Sequence, residues 1–297
     1  IKKAMRRALL TLAAALTFIA AASAEEKSKT YSFGKITGID ASFTYEIHVT
    51  SGSSDNVEIV FDSEYEPYMK VSYSSYDSSL YLGMDELPRK IRNSNHSPIK
   101  VFLKMKEIDE IELSGAASIS FAGEFKGSDL ELDLSGAANL GGPLQISGRR
   151  ISIDASGAAN ASLTGDFQKV EMDISGAANV SFVGNGTEME GELSGAAKLR
   201  FKGEYADSSI ECSGAAHLDM EGKGNNLELE GSGACNIDAK DYMVRKASVE
   251  LSGASKAKVR ATDDLLLDVD RTCRLTYYGD PAISHMSSDS NIVRGGL

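Results

Sequence analysis

The 297-residue chain has no tryptophan, five prolines, three cysteines and four histidines, whereas glycine occurs 28 times. The four histidines, His48, His96, His217 and His285, are scattered and show no spacing typical of a metal site. Nucleophile-elbow, phosphate-loop and zinc motifs are also missing. With 42% hydrophobic and 25% charged residues, the chain has the composition of a folded protein. These absences speak against the common enzyme classes and leave a glycine-punctuated β protein as the expectation.

Positive charge is also scarce, because the chain has 31 lysines and arginines but 43 aspartates and glutamates, which gives a formal net charge of −12. An acidic surface of this kind speaks against nucleic acid as a partner. After the first two dozen residues no apolar run is long enough to span a membrane. We therefore expect no transmembrane segment in the mature chain.

Residues 1–24 place four cationic side chains ahead of an apolar stretch that ends in the small triplet Ala22, Ser23 and Ala24. This order predicts a secretory signal peptide. A transmembrane anchor is the alternative, but the apolar part is shorter than the roughly 20 residues that a span needs. Removal of the four cationic residues lowers the formal charge from −12 to −16. The prediction is an exported protein, in the periplasm or at the cell surface.

The tetrapeptide Ser-Gly-Ala-Ala occurs again and again, at spacings of 19 to 21 residues. The eight copies begin at Ser114, Ser135, Ser156, Ser175, Ser194, Ser213, Ser232 and Ser252. In the last two copies the fourth residue is Cys235 and Ser255. Apolar residues lie one and three positions before each serine and five positions after it, an alternation typical of half-buried strands. Each repeat therefore predicts a strand, a tight corner and a second strand.

Two short strands cannot bury their apolar sides alone, but stacked coils of about 20 residues can. We therefore predict an all-β fold, a single-stranded right-handed parallel β-helix of about eight to nine coils. The corner glycine is expected because the same turn must fit in every coil. A β-propeller needs longer repeats, and a leucine-rich repeat needs consensus positions that are missing here.

The predicted organisation has four parts: signal peptide 1–24, an N-terminal β cap 25–106 continuous with the solenoid, repeats 107–280, and a C-terminal cap or tail 281–297. The cap lacks the tetrapeptide but contains β-branched and aromatic runs. Within the repeats, Asp270 takes the place of the serine in a degenerate ninth coil.

The three cysteines are predicted to be free. Cys235 and Cys273 would lie two coils apart, roughly 9.6 Å, too far for a disulfide. Cys212 falls in an inward column, so free buried cysteines are expected.

An acidic residue lies two positions before the serine in every copy. These eight are Glu112, Asp133, Asp154, Asp173, Glu192, Glu211, Glu230 and Glu250. Stacked about 4.8 Å apart, such carboxylates repel each other by roughly 1 kcal/mol even in water. One interpretation is a solvated face that discourages aggregation. The other is a metal site with weak calcium binding between coils, since calcium prefers oxygen ligands. No other cofactor is predicted.

Two further features have a binding interpretation beside a structural one. Cations follow the corners of the later coils, at Lys198, Arg200, Lys202, Lys256, Lys258 and Arg260. They form a solvated surface or meet an acidic glycan or partner. Tyrosines of the cap, at Tyr65, Tyr68, Tyr73, Tyr76 and Tyr81, pack the cap or stack on sugars.

Four stretches resemble a known family: "GIDASFTYEIHVTSGSSDNVEIVFD", "IKVFLKMKEIDEIELSGAASIS", the iterated "SGAAN" turns and "YYGDP". The chain is similar to the head GIN domain family, described as putative auto-transporter adhesins. The resemblance implies an exported β-helical protein with a part in adhesion, and it brings no catalytic residues. The expected function is a non-catalytic binding module for a glycan or an envelope protein. The alternatives are a purely structural envelope component and a polysaccharide-processing enzyme of the pectin lyase type.

Overall fold

The computed structural model describes residues 26–54, 56–93, 96–285 and 291–296, and the predicted signal peptide at 1–24 lies outside them. Strands make up 68% of the chain and helices 3%, and they form a β-solenoid of about nine turns. All strands described belong to one sheet of 22 strands. The predicted all-β solenoid is confirmed.

The strands fall into three groups along the chain. The N-terminal strands are β1 Glu26–Ser32, β2 Gly38–Ala41, β3 Tyr45–Ser51, β4 Asn56–Asp62, β5 Met69–Ser74, β6 Ser79–Met84 and β7 Ile99–Met105. The repeat strands are β8 Glu110–Leu113, β9 Ser118–Ala122, β10 Glu124–Lys126, β11 Asp129–Leu134, β12 Asn139–Ala155, β13 Asn160–Thr164, β14 Phe167–Ile174, β15 Asn179–Leu193, β16 Lys198–Cys212, β17 His217–Gly231, β18 Asn236–Leu251 and β19 Lys256–Val269. The last strands are β20 Arg274–Tyr278, β21 Ala282–His285 and β22 Ile292–Arg294. A 3-10 turn, Ser63–Tyr65, and one short helix, α1 Arg89–Arg92, complete the described elements.

Successive repeats pair in parallel with little change of register. In β15 and β16 the partners differ by one repeat throughout, as in Phe182 beside Phe201 and Glu192 beside Glu211. Inward residues of one coil therefore lie on inward residues of the next, and they form one continuous apolar core. Outward residues form equally continuous lines on the surface.

Each tetrapeptide corner lies directly on the corner before it. Gly157 has a φ of +69°, and a Cβ there would lie 2.6 Å from the carbonyl oxygen of Gly136. The next residue, Ala158, donates its N–H to that same oxygen at 2.7 Å. Glycine is thus required both for its left-handed backbone and for the close approach of the corner below.

The fourth residue of the tetrapeptide points into the core, a role that the sequence interpretation missed. These residues form a column of small buried side chains: Ala117, Ala138, Ala159, Ala178, Ala197, Ala216, Cys235, Ser255 and Cys273. In the last coils the polar side-chain atom of this column forms its hydrogen bond within its own corner. Ser255 Oγ donates to the carbonyl of Ser252 at 3.0 Å. Small volume, rather than apolarity, is what this column demands.

A second column of glycines forms at the other turn of the coil. Gly165, Gly184, Gly203 and Gly222 each have the carbonyl oxygen of the previous coil 1.5 to 2.0 Å from where a Cβ would lie. Backbone therefore lies against backbone at two places in every central coil. This contact keeps the cross-section constant along the repeats.

The N-terminal segment is more than a cap, because two of its layers follow the solenoid geometry. Strands β2 and β3 form a coil that lies between β8 and β9 on one side and β6 and β7 on the other, all in parallel. Antiparallel strands then close the end: β5 on β6, β4 on β7 and β1 on β4. The solenoid thus begins at Gly38, within the segment predicted to be the cap.

Large aromatic side chains fill the core near the second turn. Phe182 is fully buried and its ring lies 6.4 Å from Phe167 and 6.1 Å from Phe201. Tyr205 and Tyr242 are also buried beside this stack. They lie over glycines of neighbouring coils, since a Cβ at Gly186 or Gly224 would strike a tyrosine ring or hydroxyl.

At the C-terminal end the degenerate ninth coil is present. The Asp270 N–H donates to the Leu251 carbonyl at 2.9 Å, as the corner serines do in earlier coils. Cys212, Cys235 and Cys273 are all free and buried. The predicted tail contributes β22, which pairs in parallel with β20.

Candidate functional site

The eight predicted acidic residues form one line on the surface, which we name the acidic ladder. Each lies beside the next in register, from Glu112 next to Asp133 up to Glu230 next to Glu250. The structure extends the line at both ends, with Asp40 beside Glu112 and Asp268 beside Glu250. The repeat pattern could have revealed Asp268, which lies two positions before Asp270, but not Asp40, whose stretch of chain lacks the tetrapeptide.

Within the described residues, none of the eight ladder carboxylates forms an ion pair. The next outward column is partly neutralised, because Lys169 Nζ lies 3.1 Å from Glu171 and 3.2 Å from Glu190. Arg150 also pairs with Glu171. The ladder itself therefore carries concentrated negative charge.

Partial burial raises the pKa of ladder carboxyl groups, and neighbouring carboxylates raise it further. This holds for Asp133 and Asp154, and also for Asp40, Glu112 and Glu230. Asp154 and Asp133 share a side-chain hydrogen bond, which raises the pKa of Asp154 and lowers that of Asp133. Stacking like charges is therefore a cost that the fold carries along its whole length.

No group of three or more histidine, cysteine, aspartate or glutamate side chains in the described part of the chain is placed to hold a metal ion. The ladder brings its carboxylates together in a line rather than around a point. Weak calcium binding between coils stays a prediction.

The strands that follow the corners form a different surface, which we name the amide track. Its two adjacent outward columns run across four coils without a charged side chain. One column contains Ser118, Asn139, Asn160 and Asn179, and the other contains Ser120, Gly141, Ser162 and Ser181. Asn179 Nδ2 donates to Asn160 Oδ1 at 3.3 Å and to the Ala177 carbonyl at 3.2 Å. The asparagine amides are thus held in fixed orientations along the surface.

The track ends on its C-terminal side at two cations, Lys198 and Arg200, which continue its two columns on β16. Neither forms an ion pair or a hydrogen bond with another side chain in the described ranges. Other cations of this surface are neutralised: Lys202 Nζ lies 2.6 Å from Glu221, and Lys258 Nζ lies 2.8 Å from Asp238. The six predicted cations therefore lie in two rows, on β16 and on β19, and each row contains one lysine that is neutralised.

Two other members of the predicted cationic set lie farther along the molecule. Lys256 and Arg260 are on β19, three strands beyond Lys198. The guanidinium carbon of Arg260 lies 5.7 Å from the centre of the Tyr278 ring. This row is therefore separate from the pair at the end of the track.

At its N-terminal end the track meets an aromatic pair. His48 stacks on Phe102 with ring centres 5.0 Å apart, and Phe102 is 40% exposed. His48 Nδ1 lies 2.9 Å from Ser120 Oγ, the first hydroxyl of the track. Sequence analysis missed Phe102, although its position between Lys100 and Lys104 on an alternating strand marks it as outward-facing.

Shallow cavities occur on both surfaces. A groove of about 520 Å³ lies beside the acidic ladder and is lined by residues such as Glu190, Ser209 and Leu266. A smaller cavity of about 300 Å³ lies in the amide track between Asn139, Ser162 and Arg200. It opens where the pairing register shifts between Leu140 and Leu144 and the chain has two glycines.

The predicted cap tyrosines divide between the two interpretations. Tyr65 is buried, and Tyr68 and Tyr73 pack against the core. The Tyr81 hydroxyl donates to Asp77 at 2.7 Å, whereas Tyr76 is 99% exposed. Packing of the cap is thus the main role of these side chains.

Of the histidines, His96 is the one that the fold buries with an acid. Its Nδ1 lies 2.6 Å from Asp62 Oδ2, and its Nε2 lies 3.1 Å from the Ile91 carbonyl. The side chains of both residues are at most 6% exposed. This pair fixes the segment around α1 to the end of the solenoid. The side chain of His285 lies outside the described residues.

The sequence matches the family described as "Putative auto-transporter adhesin, head GIN domain" over residues 35–184 and 179–281. The chain belongs to this family. The family points to a surface or exported protein, and in the described residues no helix has the length and apolarity needed to cross a membrane. No curated protein matches the chain.

Solved structures of related architecture come from Parabacteroides. A putative adhesin from P. distasonis is 16% identical, covering 92% of this chain and 95% of its own, with a TM-score of 0.47. A putative adhesin from P. merdae is 15% identical, covering 91% and 93%, with a TM-score of 0.48. A putative lipid-binding protein from P. distasonis is 14% identical, covering 92% and 95%, with a TM-score of 0.41. Since every TM-score is below 0.5, the family assignment depends on the sequence match.

Proposed function

We propose that this protein is an exported, non-catalytic binding module that attaches to a glycan or a protein at the cell envelope through its flat sheet surfaces. The family and the structures similar to it are described as adhesins, which supports adhesion as the activity. Parallel coils present outward side chains in straight lines, and such lines suit an extended ligand.

One observation supports the proposal above the others: the two surfaces on either side of the corners differ in charge. The acidic ladder contains carboxylates without ion pairs, whereas the amide track contains uncharged hydrogen-bonding groups and ends in two unpaired cations. Such a separation of charge between two adjacent surfaces suits surfaces that bind a ligand.

Short coils support a binding role over a catalytic one. Repeats of 19 to 21 residues leave little chain for the long loops that build an active-site cleft on a β-helix. The cavities of the two surfaces are correspondingly shallow and open to solvent.

The test uses the full chain, purified after export, on intact bacterial cells and on an array of envelope glycans and proteins. We expect saturable binding that weakens when the charge of one surface is reversed and persists when the other is changed. A variant with Glu192, Glu211 and Glu230 replaced by lysine tests the ladder, and Lys198→Glu with Arg200→Glu tests the track. No binding to cells, glycans or envelope proteins would contradict the proposal, and release of reducing sugar would indicate an enzyme instead.

A further inference from the structure

We propose that the amide track is the binding site for an extended anionic glycan, which lies across the strands from Phe102 to Arg200. This inference rests on the proposed function and names the ligand class and the surface that binds it. Three features support this site: the order of the side chains along one column, the polar groups that have no hydrogen-bond partner, and the positive charge at the C-terminal end of the column.

One line of outward positions connects the two ends. It runs from Phe102 through His48 and Ser120 to Gly141, and then through Ser162 and Ser181 to Arg200. The bulge at Leu140 to Leu144 interrupts the pairing but not the order of the coils. Six strand spacings of about 4.8 Å give a length of roughly 29 Å. The parallel column beside it carries the asparagines and ends at Lys198.

Two hydroxyls of this line and one amide oxygen of the column beside it are available to a ligand. The hydroxyls of Ser162 and Ser181 have no hydrogen-bond partner among the residues described, and neither does Asn179 Oδ1. Asn179 uses its amide nitrogen to bind Asn160 and Ala177, which leaves its oxygen free beside Lys198. Hydroxyls and fixed amides at regular intervals suit the hydroxyl groups of a sugar chain, which both donate and accept.

The two cations at the C-terminal end of the line indicate the charge of the ligand. Lys198 and Arg200 lie together and form no ion pair in the described ranges, although Asp219 lies beside Arg200 on the next coil, whereas Lys202 and Lys258 on the same surface are each paired with a carboxylate. Arg200 and Lys198 both line the 300 Å³ cavity with Asn179 and Ser181. Charge complementarity therefore favours an acidic group, a carboxylate or a sulfate, seated in this cavity.

The aromatic pair at the N-terminal end of the line favours a sugar over an acidic peptide as the ligand. Phe102 exposes its ring, and its stacking on His48 holds the ring in place. Exposed rings of this kind offer an apolar platform beside polar groups. An acidic peptide would be matched better by cations along the whole line, yet the four coils from Ser120 to Ser181 are uncharged and Glu46 lies beside Ser118 at their N-terminal end.

The experiment measures binding of a linear oligosaccharide that ends in a single glucuronate to the full chain by calorimetry, beside the same oligosaccharide without the glucuronate, poly-glutamate and phosphatidylglycerol vesicles. We expect the glucuronate-ended oligosaccharide to bind and the other three to bind at least about 10-fold more weakly. Replacing Lys198 and Arg200 by glutamine is expected to weaken binding about 10-fold or more, since charge-assisted hydrogen bonds are lost. The matched control replaces Lys202 and Lys258 by glutamine, which removes the same charge from the same surface and is expected to change affinity less than about 2-fold.

Two exposed substitutions test the rest of the line. Ser162→Leu fills the cavity, and Phe102→Ala removes the platform; each is expected to weaken binding by several-fold while the melting temperature stays nearly constant. Equal affinity of the Lys198/Arg200 variant and its control would overturn the inference while leaving the adhesin function standing. Equal binding of poly-glutamate or anionic vesicles would also overturn it. Binding to neither glycan nor cells would remove the proposed function itself.

Discussion

The repeat corners and the first corner of the molecule adopt the same turn with different residues. In the eight tetrapeptide repeats the second position is always glycine, but in the β2–β3 layer it is Phe43, with a φ of +79°. The next corner rests on Phe43, because the Ala116 N–H donates to its carbonyl at 2.7 Å. Below Phe43 no corner exists, since the chain leaves the coil after Met84 and returns at Ile99.

This difference shows which of two demands makes glycine necessary. A left-handed backbone costs a non-glycine residue about 1–2 kcal/mol, which a protein can tolerate once. A Cβ aimed at the backbone of the corner below cannot be tolerated at all without moving that corner. The side chain of Phe43 has room because it is at the end of the stack, where its ring contacts Tyr65. Stacking, more than backbone conformation, therefore explains the repeated glycine.

The largest expected effect comes from the inner aromatic stack of the repeats. Phe182→Ala removes a fully buried ring between two coils and is expected to cost about 3–5 kcal/mol of unfolding free energy. Phe43→Ala, at the terminal corner, is expected to cost less than half as much because its ring is only half-buried. Urea denaturation of both variants measures the ratio. Equal losses would mean that the terminal layer is packed as tightly as the repeats.

The next effect tests the corner directly. Gly176→Ala places a Cβ about as close as 2.8 Å to the Gly157 oxygen and forces alanine into a left-handed conformation. We expect a loss of about 2–4 kcal/mol. Phe43→Gly relieves a strained φ but loses a ring contact, so its effect is expected to stay within about 1 kcal/mol. If Gly176→Ala were as mild as Phe43→Gly, stacking would not be the reason for the glycine.

The two regions are also expected to respond to acid in opposite ways. Burial and neighbouring carboxylates raise the pKa of Asp133 and Asp154 in the folded state, so their contribution to stability grows as the pH falls from neutral towards the unfolded values near 4. Lys29 and Lys27 lower the pKa of Glu66 in the N-terminal layer to about 2, so its contribution is lost as the pH falls below about 4.5. Hydrogen exchange at pH 7, 5 and 3.5 should show the repeats gaining protection first and β1 and β4 losing it later.

A pair of substitutions separates these contributions. Asp154→Asn is expected to stabilise the protein at pH 7 by up to about 1 kcal/mol, because it removes repulsion along the ladder. Glu66→Gln is expected to be slightly destabilising at pH 7, and this effect should disappear only as the pH falls below about 2, the pKa of Glu66 in the folded state. A destabilising Asp154→Asn would show that the ladder carboxylates are stabilised by something other than their neighbours.

The smallest expected effect concerns calcium. Any salt should raise the melting temperature by screening the ladder. If calcium binds between coils, as the sequence predicts, calcium chloride will raise it further than sodium chloride at equal ionic strength, by a few degrees at most. The excess should vanish when Asp133, Asp154 and Asp173 are changed to asparagine. Equal shifts in the two salts would leave the ladder as a solvated face.

Much of the solenoid could be predicted because every coil repeats the same pattern of residues. Eight serines and the alternating residues around them determine the strand faces, the corners and the line of carboxylates. The N-terminal layer could not be predicted in the same way, since Phe43 and Asp40 occupy repeat positions within a stretch that has no tetrapeptide. The pairing of β2 with strands from two distant parts of the chain depends on tertiary contacts, which no local pattern reports.

The two candidate sites differ in the same way, because one could be predicted from the sequence and the other could not. The ladder follows from the spacing alone, because every second residue of a strand faces the same way. The amide track does not, because its meaning depends on which cations lack a partner and on Phe102 being next to His48. Lys198 and Lys202 look equivalent in sequence, and only the position of Glu221 on the next coil separates them.

The position of the β2–β3 layer between strands that follow it has a consequence for how the chain acquires its shape. Residues 38–51 gain partners on one side only when residues 79–105 have been made, and on the other only when residues 110–122 follow. A chain delivered from its N-terminus must therefore close a long loop before this layer is ordered. Every later coil then needs only its own twenty or so residues to join the growing end. Assembly should consist of one slow beginning followed by rapid addition in a single direction.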